Sequence, residues 1–106
     1  MTETIILVRH DDEPEDDRIV SHLSRRGLAV RTVRPFRGEA LPTDRSEVAG
    51  CVLYGGPFNA YDVDLHPFLR DEYGLIENCL RWDVPMLGIC QGAQQIAHHL
   101  GAQVGP

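Results

Sequence analysis

The fold of this chain is decided by one stretch, which runs Val84-Pro85-Met86-Leu87-Gly88-Ile89-Cys90-Gln91-Gly92-Ala93-Gln94-Gln95-Ile96-Ala97. Its pattern predicts a short buried strand, a turn centred on Cys90, and then a helix. A thiol in such a strand-to-helix turn projects from the sheet, where a substrate can reach it. Because a helix N-terminus has unpaired N–H groups and favours negative charge, this position favours the thiolate, which is the nucleophilic form.

Two glycines flank the cysteine in a Gly-x-Cys-x-Gly pattern. Gly88 and Gly92 suit a tight corner, because such a turn leaves little room for a Cβ atom and can require positive φ. The arrangement is the cysteine counterpart of the Gly-x-Ser-x-Gly nucleophile elbow of serine hydrolases. A buried structural cysteine in a glycine-rich corner is the alternative that the pattern leaves open.

Composition and charge narrow the function classes. The chain has 106 residues, which suits one domain, and its net charge of −6 disfavours a nucleic-acid partner. It contains no apolar run of membrane-spanning length and no signal-peptide pattern, so we expect a cytoplasmic protein without a membrane partner. Three cysteines without a C-x-x-C spacing predict reduced thiols and no structural zinc site.

Three further strands are predicted before the cysteine turn. Thr4–Val8 is a continuous apolar run, typical of a central strand covered on both faces. Residues 28–33 form a second, more exposed strand, and residues 49–54 form a third, which contains Cys51 as a core residue. Residues 34–47, which contain two prolines and a glycine, are predicted to form a surface loop.

Two helices connect these strands. An acidic run at residues 11–17 is interpreted as the start of the first helix, with Pro14 near its first turn and Gly27 as its end. A metal site in this run is the less favoured alternative, and we expect no metal or cofactor. The second helix begins near Pro67, with Asp64 or His66 as a cap. Its core face is predicted to consist of Leu69, Tyr73, Ile76 and Leu80.

The predicted order, β-α-β-β-α-β-α, indicates an α/β fold with a mainly parallel sheet. Loops that follow parallel strands meet at the carboxyl edge of the sheet, which places Gly55-Gly56-Pro57 and Cys90 on the same edge. A thiolate that attacks a carbonyl needs hydrogen-bond donors for the developing oxyanion. The backbone N–H groups of Gln91 and Gly56 are candidates, because Pro57 has no N–H. A plain turn is the alternative for the Gly-Gly-Pro segment.

Two motifs carry a family resemblance. Tyr54-Gly55-Gly56-Pro57, followed by Gly88-Ile89-Cys90-Gln91-Gly92-Ala93-Gln94, resembles the class I (triad-type) glutamine amidotransferases, in particular the GMP-synthase-like branch. The resemblance covers roughly residues 49 to 105. It implies a flavodoxin-like, three-layer α/β/α fold that hydrolyses the side-chain amide of glutamine through a cysteinyl thioester and delivers ammonia to an acceptor.

The resemblance also implies roles for individual residues. Cys90 would be the nucleophile, Gly56 and Gln91 the oxyanion donors, and Gly55 and Gln94 substrate-binding residues. The backbone alone would act at position 91. Glutamine or a γ-glutamyl compound would be the substrate, and a synthase or acceptor domain or subunit the expected partner.

The chain departs from the family pattern in one respect. That pattern contains a catalytic histidine, followed two positions later by a glutamate, far downstream of the cysteine. Here His98 and His99 lie about 12 to 14 Å along the same helix from Cys90. His10 is predicted to lie two strands away, about 10 Å, as a capping or solvent-facing side chain. We therefore expect residues 1–106 to be the N-terminal half of such a domain, with weak or no activity and an unpaired edge at the last strand.

Three other interpretations stay open. A γ-glutamyl hydrolase or peptidase would use the same elbow and transfer the acyl group to water without channelling ammonia. A non-catalytic remnant or binding module would retain Cys90 only as a structural or redox-sensitive thiol. Another family of cysteine-elbow hydrolases is the third possibility, against which the Gly-Gly-Pro motif and Gln94 argue.

Overall fold

The computed structural model describes residues 4–12, 18–58 and 62–101. Within these ranges the chain forms four parallel strands and three helices in the predicted order. The strands are β1 (Thr4–Val8), β2 (Ala29–Val33), β3 (Gly50–Leu53) and β4 (Met86–Gly88). The helices are α1 (Arg18–Arg25), α2 (Phe68–Trp82) and α3 (Gln91–His99). The sheet order is β2-β1-β3-β4, and all three strand pairs are parallel, so the mainly parallel α/β prediction is confirmed.

The strand β1 lies inside the sheet between β2 and β3, as its apolar sequence predicts. Because side chains alternate along a strand, Ile6 and Val8 face one layer while Leu7 faces the other, and all three are fully buried. The first layer is formed by α2 and α3, whose Ile76 and Ile96 pack into the same core cluster. On the opposite face, α1 lines a groove together with β3 and β4.

The core face of α2 differs from the prediction. Leu69 and Ile76 are fully buried and Tyr73 is partly buried, but Leu80 is 44% exposed. The helix is rotated so that Glu72, Leu75 and Cys79 also point inward, which moves Leu80 to the margin of the buried face. A carboxylate inside this face is the feature that the apolar spacing did not predict.

Helix ends agree with the sequence in two places and differ in one. Gly27 follows α1 with φ +75°, and Asp83 ends α2 in the left-handed conformation at φ 58°. Neither Asp64 nor His66 caps α2, which begins directly after Pro67 and has no side-chain cap. The predicted helix start at residues 13–17, including Pro14, lies outside the described residues.

The fourth strand forms an edge of the described sheet. It pairs with β3 on one side only, and its Leu87 is 53% exposed. The two 3₁₀ turns, Pro35–Arg37 and Arg45–Glu47, lie within the segment predicted as a surface loop. Among the described residues, no helix is long and apolar enough to cross a membrane.

Candidate active site

Cys90 occupies the turn between β4 and α3. It immediately precedes the helix, its side chain is exposed, and its backbone has φ 51° and ψ −108°. A residue other than glycine pays roughly 1–3 kcal/mol in such a sparsely populated conformation. The strand–turn–helix prediction is therefore confirmed, with the backbone strain located at the cysteine itself.

The flanking glycines serve a purpose other than the one predicted. Neither Gly88 nor Gly92 has positive φ. Instead, a Cβ atom on Gly88 would lie 2.6 Å from the backbone nitrogen of Ala93, and one on Gly92 would overlap the carbonyl oxygen of Leu53. The glycines let the first turn of α3 press against β3 and β4, and this contact holds Cys90 in its strained conformation.

The diglycine segment (Gly55-Gly56) follows β3 and lies at the same edge of the sheet as Cys90. A Cβ atom on Gly55 would lie 3.2 Å from the Cβ of Cys90 and 3.9 Å from its Sγ. Gly56 is exposed, and a Cβ there would lie 3.2 Å from the Oε1 of Gln91. The structure thus brings together four of the predicted site residues, Gly55, Gly56, Cys90 and Gln91. The fifth, Gln94, is exposed on the first turn of α3.

Gln91 contributes its side chain as well as its backbone. Its N–H belongs to the first turn of α3, where no intrahelical acceptor is available. Its side chain is 4% exposed, and its Oε1 accepts a hydrogen bond of 3.0 Å from the N–H of Phe58. The sequence assigned only a backbone role to this position, so the side-chain contact was missed.

His10 is buried, contrary to its prediction as a capping or solvent-facing residue. Its Nδ1 lies 2.8 Å from the carbonyl oxygen of Tyr54, and its Nε2 lies 2.7 Å from the Oε1 of Glu72. Gln95 donates a second hydrogen bond of 2.7 Å to the same carboxylate oxygen. The prediction failed because α2 and the loop after β3 cover the carboxyl end of the central strand. One sequence signal pointed to this cluster, namely Glu72 among the apolar residues of α2, since a buried carboxylate needs a partner.

The other histidines lie away from the thiol. Nε2 of His99 contacts Oε2 of Glu77 at 2.6 Å near the far end of α3, and His98 packs near the ring of Tyr73. The ring of His66 meets that of Phe58 edge-on at 4.8 Å. Within the described ranges, no histidine makes a hydrogen bond to Cys90, and no group of side chains is arranged to hold a metal ion.

The three cysteines have different environments. Cys51 and Cys79 are buried, whereas Cys90 is exposed. The hydrogen bond between Cys51 and Cys79, together with burial, raises the pKa of the Cys51 thiol well above its usual value. Since thiolates react and buried thiols do not, Cys90 is the one cysteine of the three placed to react with a substrate.

Comparison with known proteins places this geometry in a family. The family model for class I glutamine amidotransferases matches residues 16–106. The chain belongs to the class I glutamine amidotransferase family. The solved structure of a glutamine amidotransferase from Thermotoga maritima superposes on 97% of the chain with a TM-score of 0.88 and 30% identity. This amidotransferase fold is the flavodoxin-like architecture expected from the sequence.

Two relatives of this amidotransferase chain carry more specific names. It is 37% identical over 86 residues to one subunit of the glutamine-hydrolyzing GMP synthase of Haloarcula marismortui, covering 80% of this chain and 40% of that protein. It is also 37% identical over 62 residues to the γ-glutamyl-CDP-amidate hydrolase of Campylobacter jejuni, covering 56% of this chain and 31% of that protein. The chain spans between 10% and 40% of the curated relatives it matches, and 45% of the Thermotoga chain.

Proposed function

We propose that this chain provides the nucleophile and oxyanion hole of a glutamine-hydrolysing site. In the proposed reaction, the Sγ of Cys90 attacks the side-chain amide carbon of glutamine and forms a C–S bond. The C–N bond then breaks, and the amide nitrogen takes up a proton and leaves as ammonia. Water hydrolyses the remaining thioester to glutamate and returns the free thiol.

One observation supports this proposal above the others. The exposed Cys90, held at φ 51° at the start of α3, lies directly beside the backbone of Gly55. A carbonyl bound at this thiol would lie between the N–H groups of the diglycine segment and that of Gln91. These N–H groups are suited to stabilise the negative charge that develops on the carbonyl oxygen. Gln94, exposed on the same helix turn, is placed to contact the bound glutamine.

The base for this reaction is proposed to come from outside the described residues. No described histidine makes a hydrogen bond to Cys90, so the structure offers no nearby group to accept the thiol proton or protonate the leaving nitrogen. In the family pattern these tasks belong to a histidine and a glutamate downstream. We expect very slow turnover from the 106 residues alone, and we expect the ammonia to pass to a synthase or acceptor, present either in the same protein or in a separate one.

Ammonia release from glutamine tests this division of labour. The comparison uses the 106-residue chain and a chimera in which the C-terminal half of the Thermotoga amidotransferase follows residue 106. Because general acid–base groups typically contribute 10²- to 10⁴-fold, we expect release by the chimera to be at least about 100-fold faster. The Cys90→Ser variant of the chimera is the matched control and should release no ammonia. Equal rates from both proteins, or release that survives Cys90→Ser, would contradict the proposal.

A second candidate is a hydrolase of γ-glutamyl amides other than glutamine. The match to the Campylobacter jejuni γ-glutamyl-CDP-amidate hydrolase favours it, and the same thiol and oxyanion hole would serve. The chimera assay separates the two when it is repeated with N-substituted γ-glutamyl amides. Faster hydrolysis of these compounds than of glutamine would favour the second candidate.

A further inference from the structure

We propose that His10 is a positioning residue that orients the diglycine segment for oxyanion binding. This inference rests on the proposed function, because it assigns a role within the same site. It starts from the buried cluster of His10, Glu72 and Gln95, whose side chains are respectively 1%, 0% and 0% exposed. The cluster lies directly behind the diglycine segment, since a Cβ atom on Gly56 would overlap the Cβ of His10.

The hydrogen bond from His10 to Tyr54 fixes the direction of a peptide group. The Tyr54 carbonyl can only accept, so the Nδ1 of His10, 2.8 Å away, carries a proton and donates it. The peptide that joins Tyr54 to Gly55 is planar and trans, so its N–H points opposite to its C=O. By drawing the Tyr54 carbonyl inward, His10 turns the Gly55 N–H away from the core and sets the direction in which Gly56 begins.

Glu72 and Gln95 hold the imidazole in the orientation that this bond requires. The Nε2 of His10 and the Oε1 of Glu72 share one proton across 2.7 Å, which fixes the rotation of the ring. Gln95 donates to the same oxygen, while the second carboxylate oxygen, Oε2, has no partner among the described residues. Burying such polar groups is costly unless they are paired, so the ring has little freedom to leave its position.

The same contacts argue against His10 as the general base. Both ring nitrogens are engaged, the side chain is buried, and no hydrogen bond joins it to Cys90. Its effect on the reaction would therefore pass through the backbone of residues 54 to 56.

Two substitutions separate the contact with Tyr54 from the contact with Glu72. In His10→Asn, the amide nitrogen takes the place of Nδ1, which keeps the donor to the Tyr54 carbonyl and loses the link to Glu72. In His10→Gln, the amide nitrogen takes the place of Nε2, which keeps the link to Glu72 and loses the donor to Tyr54. Stability should fall more in His10→Asn, because Glu72 loses a buried partner.

The experiment measures two reactions of Cys90 in the 106-residue chain. The first is reversible binding of the γ-aldehyde analogue of glutamine, which forms a thiohemiacetal and places an oxygen in the oxyanion hole. The second is the alkylation rate with iodoacetamide, which reports on the thiol without requiring the hole. We expect His10→Gln to weaken aldehyde binding at least about tenfold, with the alkylation rate within about twofold of wild type. His10→Asn should bind the aldehyde within about threefold of wild type despite its lower stability.

Contrary outcomes are distinct for the two proposals. If His10→Gln binds the aldehyde as tightly as wild type, or if affinity in both variants falls in the order of their stabilities, the positioning role is wrong and the proposed function stands. If the wild-type chain fails to bind the aldehyde while Cys90 alkylates normally, the oxyanion hole itself is absent and both proposals fail.

Discussion

The two loops that meet at the candidate site are held in place by different means. The Cys90 turn is fixed by backbone packing, because Gly88 and Gly92 allow α3 to press against the strands. The diglycine segment is fixed by side chains from distant parts of the chain. His10 holds the Tyr54 carbonyl on one side of it, and Gln91 holds the Phe58 N–H on the other.

This difference predicts how each loop responds to change. A loop fixed by backbone contact cannot adjust to an added methyl group without moving a strand or a helix. A loop fixed by side-chain hydrogen bonds can shift while the core remains folded. Damage to the Cys90 turn should therefore appear mainly as lost stability, and damage to the diglycine segment mainly as lost reactivity towards carbonyl compounds.

The largest effect on stability is expected from Gly92→Ala. Its methyl group would overlap the backbone carbonyl of Leu53, which no side-chain rotation can relieve, so we expect the free energy of unfolding to fall by about 3 kcal/mol. Gly74→Ala is the matched control, because a Cβ atom at this exposed position of α2 would meet nothing within 4 Å. Urea unfolding should show the control to be more stable than wild type by up to about 1 kcal/mol. Equal stability of the two variants would contradict the packing argument.

A smaller effect on stability, accompanied by a loss of reactivity, is expected from Gly56→Ala. The added methyl group would overlap the Cβ of His10 and displace the exposed diglycine segment, costing about 1 to 2 kcal/mol. Binding of the glutamine γ-aldehyde should be lost, while the iodoacetamide rate at Cys90 should stay near wild type. If aldehyde binding persists in the folded variant, the diglycine segment does not contribute to the oxyanion hole.

The same contrast explains what the sequence predicted and what it did not. Backbone-determined features are local, so the Gly-x-Cys-x-Gly spacing predicted the strand, turn and helix around Cys90. The apolar run at Thr4–Val8 likewise predicted the central strand. Even there, the reason for the glycines was wrong, because close approach rather than positive φ requires them at positions 88 and 92.

The side-chain contacts of the diglycine segment were not predictable in this way. His10 and Glu72 are 62 residues apart, and the spacing of apolar residues along α2 gave no sign that the helix turns Glu72 inward. Leu80 was placed in the core for the same reason. Likewise, the hydrogen bond between Gln91 and Phe58 spans 33 positions, and it depends on how the two loops approach each other.

Covalent labelling with a diazo-ketone analogue of glutamine tests the central claim most directly. The folded chain is incubated with the analogue, with and without excess glutamine, and the modified peptides are identified by mass spectrometry. We expect one label, on Cys90, that glutamine suppresses, with Cys51 and Cys79 unmodified because both are buried. A label shared among the three cysteines of the folded chain, or absent from Cys90, would contradict the account.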